Sequence, residues 1–363
     1  MSPVRNQTHT VINMNRIHNS RISNGVRKIP LLLIPIIFTA QSCNILTGGG
    51  NQGSGSVGVF LSVDSGDTWH PGKGNQKLQI GSAAISKLYV QDDNPKNLVA
   101  ASINSGVLAS ADYGENWAVL LTGFAAYDVF INPFNSQEIF AGGAKGKLAA
   151  IYKSPDRGGT WIQVYNEPSG ESVVTSLAFD PSNAKIMYAG LSTGTLLKSA
   201  DGGDTWRKLF AFKDGIKDIG VAYSVVYALN AKTGLHRSQD RGLTWTDVKI
   251  DKTAKTFNDL FIDRQNSSVV YIGSDAGLFR TTDGGNTWSN LPLPASLKVS
   301  NVTIVRAHSY ERSVIFAGVR STVYRSDDNG STWRTIQLST NRVLADIAVD
   351  PQEPNRLYAG LRL

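Results

Sequence analysis

The sequence predicts an all-β protein: a single seven-bladed β-propeller made of four-stranded antiparallel blades. Three observations lead there. Seven copies of the pattern Ser/Thr-x-Asp-x-Gly-x-(Thr/Asn)-Trp recur at spacings of 39 to 48 residues and contain all seven tryptophans. Each unit between them holds short apolar runs separated by turn clusters, and the two chain ends carry complementary halves of one unit. Self-similarity at this period, with several strands and no helical periodicity, marks propeller blades.

The boxes run from Ser62, Ser110, Ser154, Ser199, Ser238, Thr281 and Ser326 to Trp69, Trp117, Trp161, Trp206, Trp245, Trp288 and Trp333. Their acids are Asp64, Asp112, Asp156, Asp201, Asp240, Asp283 and Asp328. The chemistry of the box is that of a hairpin turn. Its Gly supplies positive φ, its Asp carboxylate accepts N–H bonds inside the loop, and its Trp opens the fourth strand and packs between blades. Calcium binding is excluded on spacing, because no box has the Asp-x-(Asp/Asn)-x-(Asp/Asn)-Gly order with a later Glu.

A representative unit reads Thr175-Ser-Leu-Ala-Phe-Asp-Pro181, Ile186-Met-Tyr-Ala-Gly190, Thr195-Leu-Leu-Lys-Ser199 and Trp206-Arg-Lys-Leu-Phe210. These four runs make one antiparallel meander. The first box is preceded by a lone third strand, Gly58-Val-Phe-Leu61. The last is followed by a first and a second strand, Val343–Val349 and Arg356–Gly360. Joining the halves closes the ring, removes exposed strand edges and places Gly58 beside Leu363.

The boxes resemble the Asp-box, or bacterial neuraminidase repeat. With the Asp-Pro and Tyr-Ala-Gly segments, the units are similar to the propellers of sortilin-type ectodomains, xyloglucanases and the photosystem II assembly factor of cyanobacteria. The resemblance covers residues 58–363. It implies the fold, while hydrolases, receptors and assembly factors share the repeat.

Ahead of the propeller, residues 1–43 read as a secretory signal: Arg16, Arg21, Arg27 and Lys28, the apolar run Ile29–Ala40, then Cys43. The run is short and contains Pro30 and Pro35, so a membrane span is not expected. Cys43, the sole cysteine, stands where bacterial lipoprotein signals keep the acylated residue. Ala40 and Gln41 depart from the usual lipobox, which leaves ordinary secretion as the alternative. Residues 44–57 are a Gly/Ser-rich linker with a root-mean-square reach of roughly 20 Å. The expected location is therefore the bacterial cell envelope, with membrane contact only through the lipid.

The formal net charge of +7 comes from 36 Lys/Arg and 29 Asp/Glu. Five of the basic residues and none of the acids precede Cys43, so the remainder carries +2. Nucleic-acid binding loses its support with that segment. With one cysteine and three scattered histidines after it, His70, His236 and His308, no metal site, cofactor or nucleophile triad is expected.

In a four-stranded blade the boxes occupy one end of the ring. The opposite end should carry Lys73, Lys77, Lys145, Lys147, Lys213, Lys217, Lys232, Lys252, Lys255, Lys298, Arg320, Arg342 and Arg362 against Glu167, Glu171, Asp214, Asp251 and Asp275. That asymmetry favours a non-enzymatic, monomeric binding or assembly platform for an envelope protein or an anionic polysaccharide. The residues opening the first strands, Lys87, Asp128, Ser176, Asp218, Asp259, Thr303 and Asp346, are expected to accept backbone N–H bonds between blades rather than bind a cation.

The alternative is an exported glycoside hydrolase. The resemblance to sialidases supplies no recognisable arginine triad or Tyr/Glu pair. The resemblance to xyloglucanases aligns Tyr271-Ile-Gly-Ser-Asp-Ala-Gly277 with the run that holds their catalytic acid, and so makes Asp275 the candidate. That mechanism needs a second carboxylate across a cleft between two propellers, or Glu167 or Glu171 from a blade-to-blade loop.

Overall fold

The computed structural model describes residues 58–74, 82–250, 253–263, 266–294, 302, 304–307 and 313–362. The signal, Cys43, the linker, Lys77, Lys252, Asp251, Lys298, Thr303 and His308 lie outside the described residues.

Seven sheets form the ring. The closing blade joins β1 (Val59–Ser62) and β2 (His70–Pro71) to β28 (Val343–Val349) and β29 (Leu357–Arg362), in the order β2-β1-β29-β28. Val59 pairs with Gly360, and the Leu361 N–H donates to the Gly58 carbonyl at 2.8 Å, so the chain ends share one sheet as expected. The first blade is β4 (Ile85–Val90), β5 (Leu98–Ser102), β6 (Gly106–Ser110) and β7 (Asn116–Leu121). It gains a fifth strand that the sequence did not disclose: β3 (Lys73–Gly74) lies parallel to β7, with Gly74 beside Trp117.

The second blade is β8 (Ala125–Ile131), β9 (Ile139–Lys145), β10 (Leu148–Ser154) and β11 (Ile162–Asn166). The third is β12 (Val174–Asp180), β13 (Asn183–Leu191), β14 (Thr195–Ser199) and β15 (Arg207–Ala211). The fourth is β16 (Ile216–Ala222), β17 (Val225–Asn230), β18 (Gly234–Ser238) and β19 (Thr246–Val248). The fifth is β20 (Phe257–Ile262), β21 (Val270–Ser274), β22 (Gly277–Thr281) and β23 (Ser289–Leu291). The sixth is β24 (Ile304–Ala307), β25 (Ile315–Val319), β26 (Thr322–Ser326) and β27 (Arg334–Gln337).

Second and third strands are almost wholly buried, because each blade is covered on both faces by its neighbours. Each inter-blade space is filled by its own cluster, such as Ile85, Leu88, Leu98, Leu108, Trp117 and Tyr358 between the closing and first blades. Small residues set the approach of the blades. A Cβ on Gly142 of the second blade would lie 2.6 Å from Val174 Cγ1 of the third, closer than side-chain carbons approach.

The boxes have one hydrogen-bond pattern throughout. In the fourth blade the Ser238 hydroxyl donates to Asp240 Oδ1 at 2.7 Å and accepts the Gly242 N–H at 2.7 Å. Asp240 Oδ1 accepts the Thr244 N–H at 2.8 Å, and Oδ2 accepts the Thr244 hydroxyl at 2.6 Å. The Trp245 indole closes the loop on the Gly242 carbonyl at 3.0 Å. Trp161 instead donates across the blade interface to the Leu120 carbonyl at 3.1 Å, and the buried Trp288 indole N–H has no partner among the described residues. The residue before the box Gly is left-handed, at φ +64° for Ser65 and +57° for Arg157, and is Gly202 or Gly284 in two blades. Each box is a hydrogen-bonded turn between the third and fourth strands.

These bonds favour the charged carboxylates. The Thr hydroxyl and N–H hold Asp64, Asp201, Asp240 and Asp328 at about 2, and Asp283 lower still. A depressed native pKa stabilises above the unfolded value of 3.8 and loses that contribution as pH falls toward 2. Melting temperature is therefore expected to drop progressively between about pH 4 and pH 2. Asp128 works in the opposite sense. Burial raises it to about 6 against the pull of Lys87, so its contribution is greatest below pH 3.8 and is lost as pH rises through 6. The several box carboxylates outweigh this single group, and a melting curve that rises below pH 4 would contradict the assignment.

Candidate functional site

Two regions gather polar side chains where a ligand could reach them: the central channel, and the ring face opposite the boxes. The channel encloses about 270 Å³ and is lined by the first strands. Six of the seven described first strands have a register shift at the inner position, between residues 85 and 87, 126 and 128, 174 and 176, 216 and 218, 257 and 259, and 344 and 346. The bulge leaves the next N–H free of its own sheet.

In three blades the neighbouring blade supplies the acceptor, whereas the Val129 N–H goes to Asp128 Oδ1 of its own strand at 2.8 Å. Asp346 Oδ2 accepts the Leu88 N–H at 2.8 Å, Asp128 Oδ2 that of Leu177 at 2.7 Å, and the Ser176 hydroxyl that of Ile219 at 3.1 Å. Ser176 also donates to Asp218 at 2.9 Å. The column of carboxylates thus stitches blades together, as its placement predicted. Asp346→Ala is expected to cost about 1–3 kcal/mol by stranding a buried N–H, with Asp346→Asn milder, as denaturant unfolding would show. Tyr89, Phe130 and Phe261, two residues further along, and Phe179, three, form an apolar collar, with Phe130 and Phe179 5.7 Å apart. Among the described residues no group of three His, Cys, Asp or Glu is gathered as metal ligands.

The opposite face is built from the turns between second and third strands and from the blade-to-blade loops. Lys145, Lys147, Lys213, Lys217, Lys232, Lys255, Arg320 and Arg362 are exposed, and Arg342 is half-buried. Lys147 forms an ion pair with Glu171. The Tyr165 hydroxyl donates to Glu167 at 2.5 Å. Asp214 accepts the Gly215 N–H at 2.8 Å and the Lys232 N–H at 2.5 Å, which pins a blade-to-blade loop to the next turn.

Asp275 sits half-buried in the turn between β21 and β22. Its Oδ1 accepts the N–H groups of Lys255 at 2.9 Å and Thr256 at 3.2 Å. Burial pushes its pKa up, but these bonds outweigh it and the net shift is downward. Asp275 is therefore ionised at neutral pH, with one oxygen fixed by the backbone. Such a carboxylate can accept a proton from water; it is poorly suited to donate one. The first blade has an uncharged counterpart: Asn104 Oδ1 accepts the Ala84 N–H at 2.8 Å from the corresponding turn. Holding a blade entry is thus one role of this position.

Sequence reasoning missed a set of cations directly before the boxes. Lys153, Lys198, Arg237, Arg280 and Arg325 each stand opposite an aromatic residue of the adjacent second strand, respectively Phe140, Tyr188, Tyr227, Tyr271 and Phe316. The signal was present as a basic residue repeating with the box period.

The comparisons with known proteins follow this geometry. The Sortilin-Vps10 family model, described as sortilin, neurotensin receptor 3, matches residues 233–359. A xyloglucanase of Hypocrea jecorina is 25% identical over 224 residues, covering 55% of this chain and 25% of that protein. Among solved structures, the GH74 enzyme of Niastella koreensis superposes with a TM-score of 0.63 at 18% identity, over 83% of this chain and 52% of that one. YCF48 bound to D1 peptide superposes with a TM-score of 0.59 at 13% identity, over 77% and 93%. The chain thus spans a quarter of the length of that xyloglucanase and about half of the GH74 structure. The structural likenesses show the fold alone. The sequence matches correct the expectation of a non-enzymatic platform, because the relatives they reach are xyloglucanases. The chain is a seven-bladed propeller similar in sequence to xyloglucanases and, over residues 233–359, to sortilin.

Proposed function

We infer that this chain is a glycoside-hydrolase propeller acting on a xyloglucan-type polysaccharide, with Asp275 as its ionised catalytic carboxylate. The sequence match to xyloglucanases carries the reading. The geometry supplies the role. In an inverting hydrolysis one carboxylate activates water while a carboxylic acid about 6.5–9.5 Å away protonates the leaving oxygen. Asp275, fixed on one oxygen and held below the ordinary carboxylate range, fits the base.

The acid must then come from another group. Glu171 is engaged by Lys147, which leaves Glu167, beside the Tyr165 hydroxyl, as the acid this chain would contribute. A second propeller facing this surface is the other source, in keeping with the half-length cover of the GH74 structure. The exported location, with Cys43 as the lipid-bearing residue, belongs to the same proposal, since the substrate is extracellular.

Electrophoresis of the full chain through a gel containing xyloglucan tests the binding half. Retardation that scales with xyloglucan content is expected, and migration equal to that of an inert protein at every content would sink the reading. Substitutions on the face opposite the boxes should lessen retardation, and substitutions within the boxes should not.

A further inference from the structure

At the box end of the ring six inter-blade spaces are closed in related ways, while the seventh, packed by its own apolar cluster further in, holds a cleft there. In five, a cation from the third strand stands opposite an aromatic residue of its own sheet and reaches the next blade or its own turn. Lys198 Nζ lies 5.4 Å from the Tyr188 ring centre and donates to the Arg241 carbonyl at 3.2 Å. Lys153 lies 5.4 Å from the Phe140 ring and reaches the Gly202 carbonyl at 3.3 Å. Arg237 and Arg280 donate to the carbonyls of Gly284 at 2.6 Å and Asn329 at 3.0 Å. Those four carbonyls belong to the residue before the box Gly in the next blade. Arg325 stacks on Phe316 and bonds Asp327.

At the sixth, between the closing and first blades, the pair is Tyr358 with Leu61, and the cation comes from Arg356, 4.0 Å from the Tyr113 ring. Between the first and second blades the cross-strand pair is Val99 with Ala109. Neither member of that pair is a ring or a cation. In their place is an open cleft of about 500 Å³, lined by Val99, Ala109, Trp117, Ile139, Asp112 and Arg157. Arg157 occupies the place before the box Gly, the place that presents its carbonyl to the cation elsewhere. Its guanidinium reaches Ser136 on the rim at 3.4 Å.

We propose that this cleft is a binding site for an aromatic group bearing a cationic hydrogen-bond donor, which completes the missing pair between the first and second blades. The ring would lie on Val99, Ala109 and Ile139, in the space that Tyr188 and its counterparts fill elsewhere. The cation would meet the Arg157 carbonyl and the Asp112 carboxylate. Apolar walls with a few convergent acceptors are what such a ligand requires. The site is separate from Asp275 and does not depend on the reading given to that residue.

The test uses benzamidine and the full chain, by titration calorimetry, with benzamide as the uncharged probe. One saturable benzamidine site per chain is expected, at least tenfold tighter than for benzamide. Val99→Tyr with Ala109→Lys should abolish binding and raise the melting temperature. Ala109→Lys alone, at a half-exposed position that tolerates a longer side chain, should weaken binding at least tenfold if the double variant does not fold. Absence of binding, equal binding of both probes, or unchanged binding by Ala109→Lys would each overturn the proposal.

Discussion

Trp117→Ala is expected to destabilise the propeller by about 3–5 kcal/mol, the largest effect of any single truncation in a box. Trp117 is 1% exposed, packs with Leu88, Leu98 and Tyr358, and donates its indole N–H to the Gly114 carbonyl at 2.8 Å. Truncation therefore removes the largest wholly buried side chain and leaves a carbonyl without its donor. The turn into β3 also loses a contact, because Gly72 runs against this indole. Trp69, which is half-buried at the closing blade, should cost clearly less. Denaturant unfolding of the two variants checks both the size and the order. Equal losses would mean that the boxes act as independent turns rather than as wedges between blades.

Asp275→Asn carries the second large effect, and it separates chemistry from structure. An asparagine keeps the Oδ1 acceptor for the Lys255 and Thr256 N–H groups, and Asn104 already makes that contact in the first blade. The turn should hold, with a stability change within about 1 kcal/mol. Only the negative charge is lost. Removal of a general base typically costs 10²–10⁴-fold in rate, so hydrolysis should fall by about that factor while binding of xyloglucan persists. Asp275→Ala is the weaker experiment, because it breaks the clamp and mixes folding with catalysis.

The fold was legible because each box is a self-contained turn. Asp240, Ser238 and Thr244 bond one another within seven residues, so their pattern is written locally. The shared closing blade was equally visible, since Gly58 and Leu361 complete halves that neither end could bury alone. The bulge donors met by Asp346 and Asp128 followed from counting along the first strands. The added strand β3 was not visible, because two residues paired in parallel leave no periodicity. The cations before the boxes were present in the sequence as Lys153, Lys198, Arg237, Arg280 and Arg325. Their role depends on rings that lie opposite across the sheet, so it emerged only with the strand register.

Function was the least legible part. Asp275 and Asn104 occupy corresponding turns and make corresponding bonds, so the turn position does not distinguish a catalytic carboxylate from a structural amide. The surplus of lysine and arginine opposite the boxes suggested an anionic partner, whereas the relatives reached by sequence are named for xyloglucan. For a substrate of that class, hydrogen-bonding groups and ring faces matter more than net charge.

The most direct test of this account follows new reducing ends in xyloglucan over time, with the full chain and Asp275→Asn at equal concentration and both shown to be folded. The account predicts steady release by the unaltered chain and a loss of about 10²–10⁴-fold in the variant. Equal rates from the two proteins, or no release by the unaltered chain even with a second propeller supplied, would contradict it.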